Sequence, residues 1–369
     1  MARVAVSAAS YDSVDTTLRE FVDTLDLGPF LAGAAGKKVF IKPNLLGYFP
    51  RENHATTDPA VVRAVVGLFI GAGAKVAVGD NCGVGGYGLN QRVAEKTGII
   101  DAAQGAYKNV ARDTVMVRLG SGYLDSLAVS RDMLEADILV SLPKMKTHSL
   151  TIITGAVKNM FGIVAGGGKG RSHAAAPGLK DFGRMLADIF SIRPPDLTIM
   201  DGIMAMEGNG PSKGRPIHAG LLLASRNAVA LDAVACRIMG IEPERVHHVR
   251  EASLLGLGPI ERDSIEVIGA PPRLKFKLPV TVDRFRLGRI VNRGFFGRLV
   301  QSRLVLDPEK CRKCGLCREG CPAGAMSMTG YPFINEETCI KCLCCHELCP
   351  ESAWDLKGLM GRMQGYGSG

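Results

Sequence analysis

The sequence predicts an α/β protein with a largely parallel sheet and helices on both faces, followed by a small C-terminal α+β domain. Two observations carry this expectation. Short β-branched or aliphatic runs alternate with helical patterns from residue 3 to about 270, and nine of the eleven cysteines lie between positions 311 and 349. Alternation of this kind is what strand–helix–strand crossovers impose. A chain of 369 residues has room for one large domain and an appended small one.

Taken in order, RVAVSA, KKVFIKP, KVAVGD, TVMVRL, DILVSLP, LTIMDG, GLLLAS and SIEVIG read as strands. Between them, TDPAVVRAVVGLFIGAGA is the clearest helix, with Asp58 at its N-cap, Pro59 in its first turn and glycines closing it. GLKDFGRMLADIFSI and AVALDAVACRIMGI are two more.

In such sheets ligands bind beyond the carboxyl ends of the strands. Four strands here run into polar residues: Lys42-Pro43-Asn44, Gly79-Asp80-Asn81, Pro143-Lys144-Met145-Lys146-Thr147-His148 and Asp201-Gly202. Loops of α/β proteins are polar in any case, but buried strand ends rarely need three lysines. Lys42, Lys144 and Lys146 are therefore candidates to hold carboxylate or phosphate oxygens as point charges. His148 is the candidate proton donor, since an imidazole titrates in the right range; a loop histidine with no such role is the alternative. Asp80 and Asp201 are candidates to orient that histidine, a substrate hydroxyl or a Mg2+ ion. Asn44, Asn81, Lys158, Asn159, Glu207 and Asn209 complete the candidate cleft. GVGGYG (83–88) formally matches a dinucleotide fingerprint but sits past its strand and outside the first βα unit. AGGGKGR (165–171) reads as a mobile lid carrying Lys169 and Arg171, or as a flexible surface loop.

The cysteines are more explicit. CRKCGLCREGCP supplies Cys311, Cys314, Cys317 and Cys321; CIKCLCCHELCP supplies Cys339, Cys342, Cys345 and Cys349. Each is C-x2-C-x2-C-x3-C-P, the bacterial ferredoxin run, in which the fourth cysteine ligates the other cluster. Cys311, Cys314, Cys317 and Cys349 are thus assigned to one [4Fe–4S] cluster, and Cys339, Cys342, Cys345 and Cys321 to a second. Zinc would call for two CxxC pairs instead. Cys344 is expected to point away from the cluster, and Cys82 and Cys236 are isolated.

The formal charge of +9 falls to about +5 if two oxidised clusters are counted at about −2 each. Anionic ligands suit the remainder, and no motif or aromatic–basic interleaving speaks for nucleic acid. No apolar run approaches the ~20 residues of a membrane span, and the N-terminus lacks a secretory signal, so a cytoplasmic setting is expected. The expected divisions are an α/β domain at 1–280, a basic amphipathic linker at 281–305, the cluster domain at 306–357 and a flexible tail at 358–369.

IKPNL, TTDP, ADILVSLPKMKTH, TGAVKNMFGIV and LTIMDGIMAMEGNGPSKG resemble, in order, the prokaryotic domain-of-unknown-function family 362, many members of which carry a C-terminal ferredoxin-type module. The resemblance implies an iron–sulfur protein of anaerobe-like metabolism and singles out the same strand-end residues without naming a substrate. The leading expectation is an oxidoreductase that passes low-potential electrons to an anionic substrate or cofactor in the cleft and exchanges them with a donor or acceptor protein. The alternative is a non-catalytic electron-transfer or cluster-handling accessory protein that docks a partner through its α/β domain.

Overall fold

The computed structural model describes residues 1–83, 89–120, 122–279 and 303–357. The strands among them are β1 (Ala2–Ala8), β2 (Lys38–Pro43), β3 (Lys75–Val78), β4 (Thr114–Arg118), β5 (Ser126–Ser130), β6 (Ile138–Leu142), β7 (Lys144–His148) and β8 (Ile152–Ile153). They continue with β9 (Leu197–Glu207), β10 (Arg215–Ser225), β11 (Ile265–Ile268), β12 (Arg303–Leu306), β13 (Met326–Thr329), β14 (Tyr331–Ile334) and β15 (Trp354–Lys357). The main sheet runs β11-β1-β10-β9-β6-β2-β3, with β7 paired to β9 and β8 to β7. It is largely parallel, as the alternation predicts; β10 runs antiparallel to both of its neighbours, and β8 to β7.

Strand periodicity sorts the apolar side chains onto two faces. Val39 and Ile41 of β2 enter one core and Phe40 the other; Ile138, Val140 and Leu142 of β6 enter the first and Leu139 the second. Helix Pro59–Gly71 closes the first core with Val61, Val65, Val66 and Phe69, and helices Leu179–Ile192 and Ala228–Ile238 close the second. A sheet covered on both sides explains why its strands read as nearly unbroken apolar runs. Helix Pro59–Gly71 starts where its cap predicts, the Asp58 carboxylate accepting the Ala60 N–H at 2.9 Å.

Three segments differ from expectation. TVMVRL forms β4, but it pairs with β5 in a separate two-stranded ribbon. KMKTH, expected as a strand-end loop, is itself β7, because after Pro143 the chain resumes alongside β9 with Lys144 opposite Asp201 and Lys146 opposite Met206. The glycine-rich AGGGKGR segment runs into a helix, Gly168–Ala175, with Lys169 buried. The glycine loop at 84–88, the arginine-rich segment up to residue 302 and the tail from 358 lie outside the described residues.

The cysteine region repeats itself. Strands β12 and β15 pair antiparallel, as do β13 and β14, and each half carries one short helix, Leu316–Glu319 or Cys344–Leu348. Trp354, Met326 and Cys317 form its small core. Among the described residues no helix is long and apolar enough to cross a membrane.

Candidate functional site

The carboxyl ends of β2 and β3 meet strand β7 and helix Gly155–Asn159 around a cavity of about 70 Å³, room for about five waters or a small ligand of that bulk. Asn44, Asp80, Asn81, Lys146, His148, Lys158 and Asn159 line it, joined by Lys169, His173, Phe161 and Leu45. The roof comes from the far end of the chain: Cys344, Glu347 and Leu348 complete the lining.

The charges are held by a tight network. Buried Lys42 lies just behind the cavity, its Nζ 2.8 Å from Asp80 Oδ1; Asp80 Oδ2 accepts the Leu45 N–H at 2.9 Å. Asn159 acts as a hub, its Oδ1 accepting from Lys42 Nζ at 3.2 Å and from Asn44 Nδ2 at 3.1 Å, while its Nδ2 donates to Ser141. Lys146 Nζ donates to Asn44 Oδ1 at 2.8 Å and to the Ala55 carbonyl, with no carboxylate of the described residues among its hydrogen-bond partners. Lys169 donates to the carbonyls of Asn81 and Cys82. Lys158 Nζ is 5.9 Å from the centre of the Phe161 ring, and no carboxylate among the described residues lies within ion-pair distance of it.

Crowding of cations in a dry place has the expected consequence. Burial pushes Lys42 down to about 8, and Lys169 and Lys158 add to the effect against the pull of Asp80. Burial, Lys158 and Lys144 push Lys146 well below its ordinary range, and Lys158 is lowered chiefly by burial. His148 is pushed well down by burial and then by Lys158 and Lys146, so it is a neutral imidazole near pH 7. Its Nδ1 accepts the Leu150 N–H at 3.1 Å, which places the proton on Nε2, 3.4 Å from Glu347 Oε1. Burial raises Glu347 against the opposing pull of Lys158, Lys146 and Lys169.

Not every predicted residue reaches this cavity. Lys144 and Asp201, both fully buried, are ion-paired at 2.6 Å, with the Oη of half-buried Tyr11 at 3.1 Å from Lys144 Nζ, in a cluster of their own. Asp201 also accepts the Asp58 N–H, so it orients the start of helix Pro59–Gly71 and not His148. With Asp80 on Lys42 and Asp201 on Lys144, the two carboxylates do not share a position for Mg2+. Glu207 is raised by burial, but the Lys277 N–H and the Arg215 guanidinium, 2.6 Å away, bring it below the usual carboxylate range. Asn209 sits on the loop after β9, and neither it nor Glu207 lines the cavity, whereas Pro211 of that loop does.

The cysteines enclose two further cavities. One is lined by Cys311, Cys314, Cys317 and Cys349, the other by Cys321, Cys339, Cys342 and Cys345. These are the two interleaved sets that the spacing predicts. Four of these thiols line each cavity. That arrangement suits a polynuclear cluster. Backbone N–H groups of Ala325 and Ala353 donate to Cys321 Sγ and Cys349 Sγ at 3.2 Å, as ligating sulfurs would want. The two loops turn alike, with Lys313 and Lys341 at φ of 55° and 54° and Gly315 and Leu343 at 82° and 63°. Cys344, expected to point away, lines both the second cysteine cavity and the cationic pocket. It is a shared wall.

Glu347 was not visible as a site residue in the sequence. It holds the same place in its motif as Glu319 does in the first copy, and Glu319 is exposed; only docking of the module distinguishes them. Lys146 and His148 did carry a signal, since alternate residues of a strand share a face.

Two family models match the chain: "Domain of unknown function (DUF362)" over residues 39–237, and "4Fe-4S binding domain" over residues 304–327. A thylakoid-associated protein of Synechocystis is 34% identical over 311 residues, covering 80% of this chain and 92% of that one. Among solved structures, the lactate racemase apoprotein of Thermoanaerobacterium thermosaccharolyticum aligns at 14% identity and a TM-score of 0.41, covering 64% of this chain and 57% of that one. A Thermotoga maritima protein aligns at 14% identity and a TM-score of 0.36, covering 67% and 58%. The chain thus spans a little over half the length of both structures.

Proposed function

The chain belongs to the DUF362 family and carries a 4Fe–4S module, and on that premise we propose that it is an iron–sulfur oxidoreductase acting on a small anion, a carboxylate or a phosphate. Cys311, Cys314, Cys317 and Cys349 would hold one [4Fe–4S] cluster, and Cys339, Cys342, Cys345 and Cys321 the second. Such clusters supply single electrons at low potential, which fits a reducing, oxygen-poor cytoplasmic setting.

The observation that carries the reading is the position of Cys344, one side chain shared by the cationic pocket and the second cysteine cavity. Within the pocket, Lys158 and Lys146, neither within ion-pair distance of a carboxylate among the described residues, would bind the anion in competition with the pull of Glu347. Asn44 and Asn159 fix Lys146 and Lys42 in place. Neutral His148 presents its Nε2–H to charge that develops on the ligand, while Leu45, Phe161 and Leu348 keep water out. The volume admits a small anion or the head of a larger one, not a whole dinucleotide.

Lys158→Ala tests this directly. In anaerobically purified protein, binding of inorganic phosphate and of malonate, measured by calorimetry, should fall at least tenfold while the visible cluster absorbance is unchanged. Equal binding of both anions by the variant would remove the pocket from the mechanism.

A further inference from the structure

The cysteine module has two unlike ends. One end is docked: Cys344, Glu347 and Leu348 roof the pocket, and Pro322 meets helix Gly168–Ala175 at Gly170; Lys213 Nζ also donates to the Ser352 carbonyl, next to Glu351 and Ala353 of the first cysteine cavity, at 2.8 Å. The cavity of Cys311, Cys314, Cys317 and Cys349 belongs to the other end. Of the eleven cysteines only Cys314 is exposed.

The surroundings of Cys314 are distinctive in both charge and apolar character. The loop Lys310–Glu319 carries Lys310, Arg312, Lys313 and Arg318 against Glu319, all exposed. Lys310 and Arg312 have carboxylates beside them, Asp307 at 2.8 Å and Glu351 at 3.2 Å, whereas Lys313 lies over the Tyr331 ring at 4.2 Å. The matching stretch of the second motif, 338–347, is balanced, with Lys341 against Glu347. Strand β14 adds an apolar face. Pro332 points inward and lines the cysteine cavity, while its neighbours Tyr331 and Phe333 point out and are 43% and 51% exposed. Two exposed aromatics on alternate positions of a short strand, bordered by cations, have the composition of an interface core and rim.

We propose that this face, formed by the Lys310–Glu319 loop with Tyr331 and Phe333 around Cys314, docks an acidic one-electron carrier protein. The proposal rests on the reading that the eight cysteines hold clusters, and it identifies which end meets the partner. Cys344 of the second cavity is buried against the α/β body, whereas the first cavity presents the exposed Cys314 to a carrier. Lys313 and Arg318 would steer an acidic surface towards it, and Tyr331 and Phe333 would supply the dry contact at its centre. An anionic membrane would also attract cations and aromatics, but it would leave the exposed Cys314 without an electron source; the carrier is therefore the favoured occupant.

The test uses the full chain purified anaerobically, with an acidic flavodoxin as probe, a basic c-type cytochrome as charge control, and vesicles of phosphatidylserine and phosphatidylcholine. Affinity for the flavodoxin, read by titration calorimetry, should fall about tenfold in Lys313→Glu and severalfold in Phe333→Ser, and should weaken with salt. Cluster absorbance and bleaching by dithionite should be unchanged in both variants. Unaltered flavodoxin affinity in both variants, or tighter binding to the cytochrome or the vesicles, overturns the proposal. Absence of cluster absorbance in the unmodified chain would instead sink the iron–sulfur assignment, so the two failures are distinguishable.

Discussion

A methyl group at Gly162 would collide with the Asp80 carboxylate and the Lys42 ammonium, the buried pair that underlies the pocket. Gly162→Ala should therefore separate two desolvated charges and cost about 3 kcal/mol of stability, seen as a lower denaturation midpoint; a midpoint within error of the parent would mean that the pocket relaxes around the methyl. Lys42 also predicts a pH dependence. Its folded pKa, about 8, lies below the 10.5 of a free lysine, mainly through burial. Below pH 8 both folded and unfolded chains hold the proton. Between about 8 and 10.5 only the unfolded chain does, so this group's contribution to stability rises with pH across that window. Anion binding should move the opposite way, weakening as pH passes about 8 and the pocket loses a positive charge. A phosphate affinity that is flat from pH 7 to 9 would show that Lys42 does not contribute to the field at the ligand.

At the scale of elements, β7 divides its polar residues between two tasks. Lys144, Lys146 and His148 share one face, but Lys144 lies opposite Asp201 of β9 and joins it in a sealed ion pair, while the other two reach the pocket. Lys144→Ala should thus act on stability and not on ligand binding. It leaves the Asp201 carboxylate buried without its cation, at a cost of about 3–5 kcal/mol, and the double replacement Lys144→Met with Asp201→Leu should recover most of that. Urea titrations of the three proteins check it; a double variant no better than the single one would show that hydrogen bonds to Asp201, not the charge pair, hold β7 to β9. The short helix Cys344–Leu348 makes the parallel point. Its motif copy, Leu316–Glu319, is exposed along Arg318 and Glu319, so the same local sequence pattern serves a solvent face in one half and a ligand pocket in the other.

For the whole molecule, the consequence of the docked module is that the pocket is complete only when the C-terminal region is folded. Cluster ligation and folding are coupled in small metal domains, and among the described residues the module's own core is the small group of Trp354, Met326 and Cys317 with their neighbours. Iron removal by chelation under oxidising conditions should unfold residues 303–357 and open the roof made by Glu347 and Leu348. The expected readouts are rapid proteolysis within the module and a severalfold rise in acetylation of Lys158 by an amine-reactive reagent, followed by mass spectrometry. Lys158 labelling that stays constant as the clusters are lost would show that the body closes the pocket unaided.

The sequence by itself determined what local chemistry can encode. Strand and helix periodicities, the Asp58–Pro59 helix start and the repeated cysteine spacing are each carried by residues a few positions apart, and the covered sheet and the two interleaved cysteine sets follow from them. Tertiary structure alone decided which polar residues meet. Lys42 and Asn159 are 117 positions apart. His148 and Glu347 come together only because the module docks on the ends of the strands. Lys144 and Lys146, two positions apart in one strand, part company because the partners opposite them differ. Electrostatics in a buried site depends on distances of a few ångströms and on who else is buried there, and neither is a property of any local stretch of chain.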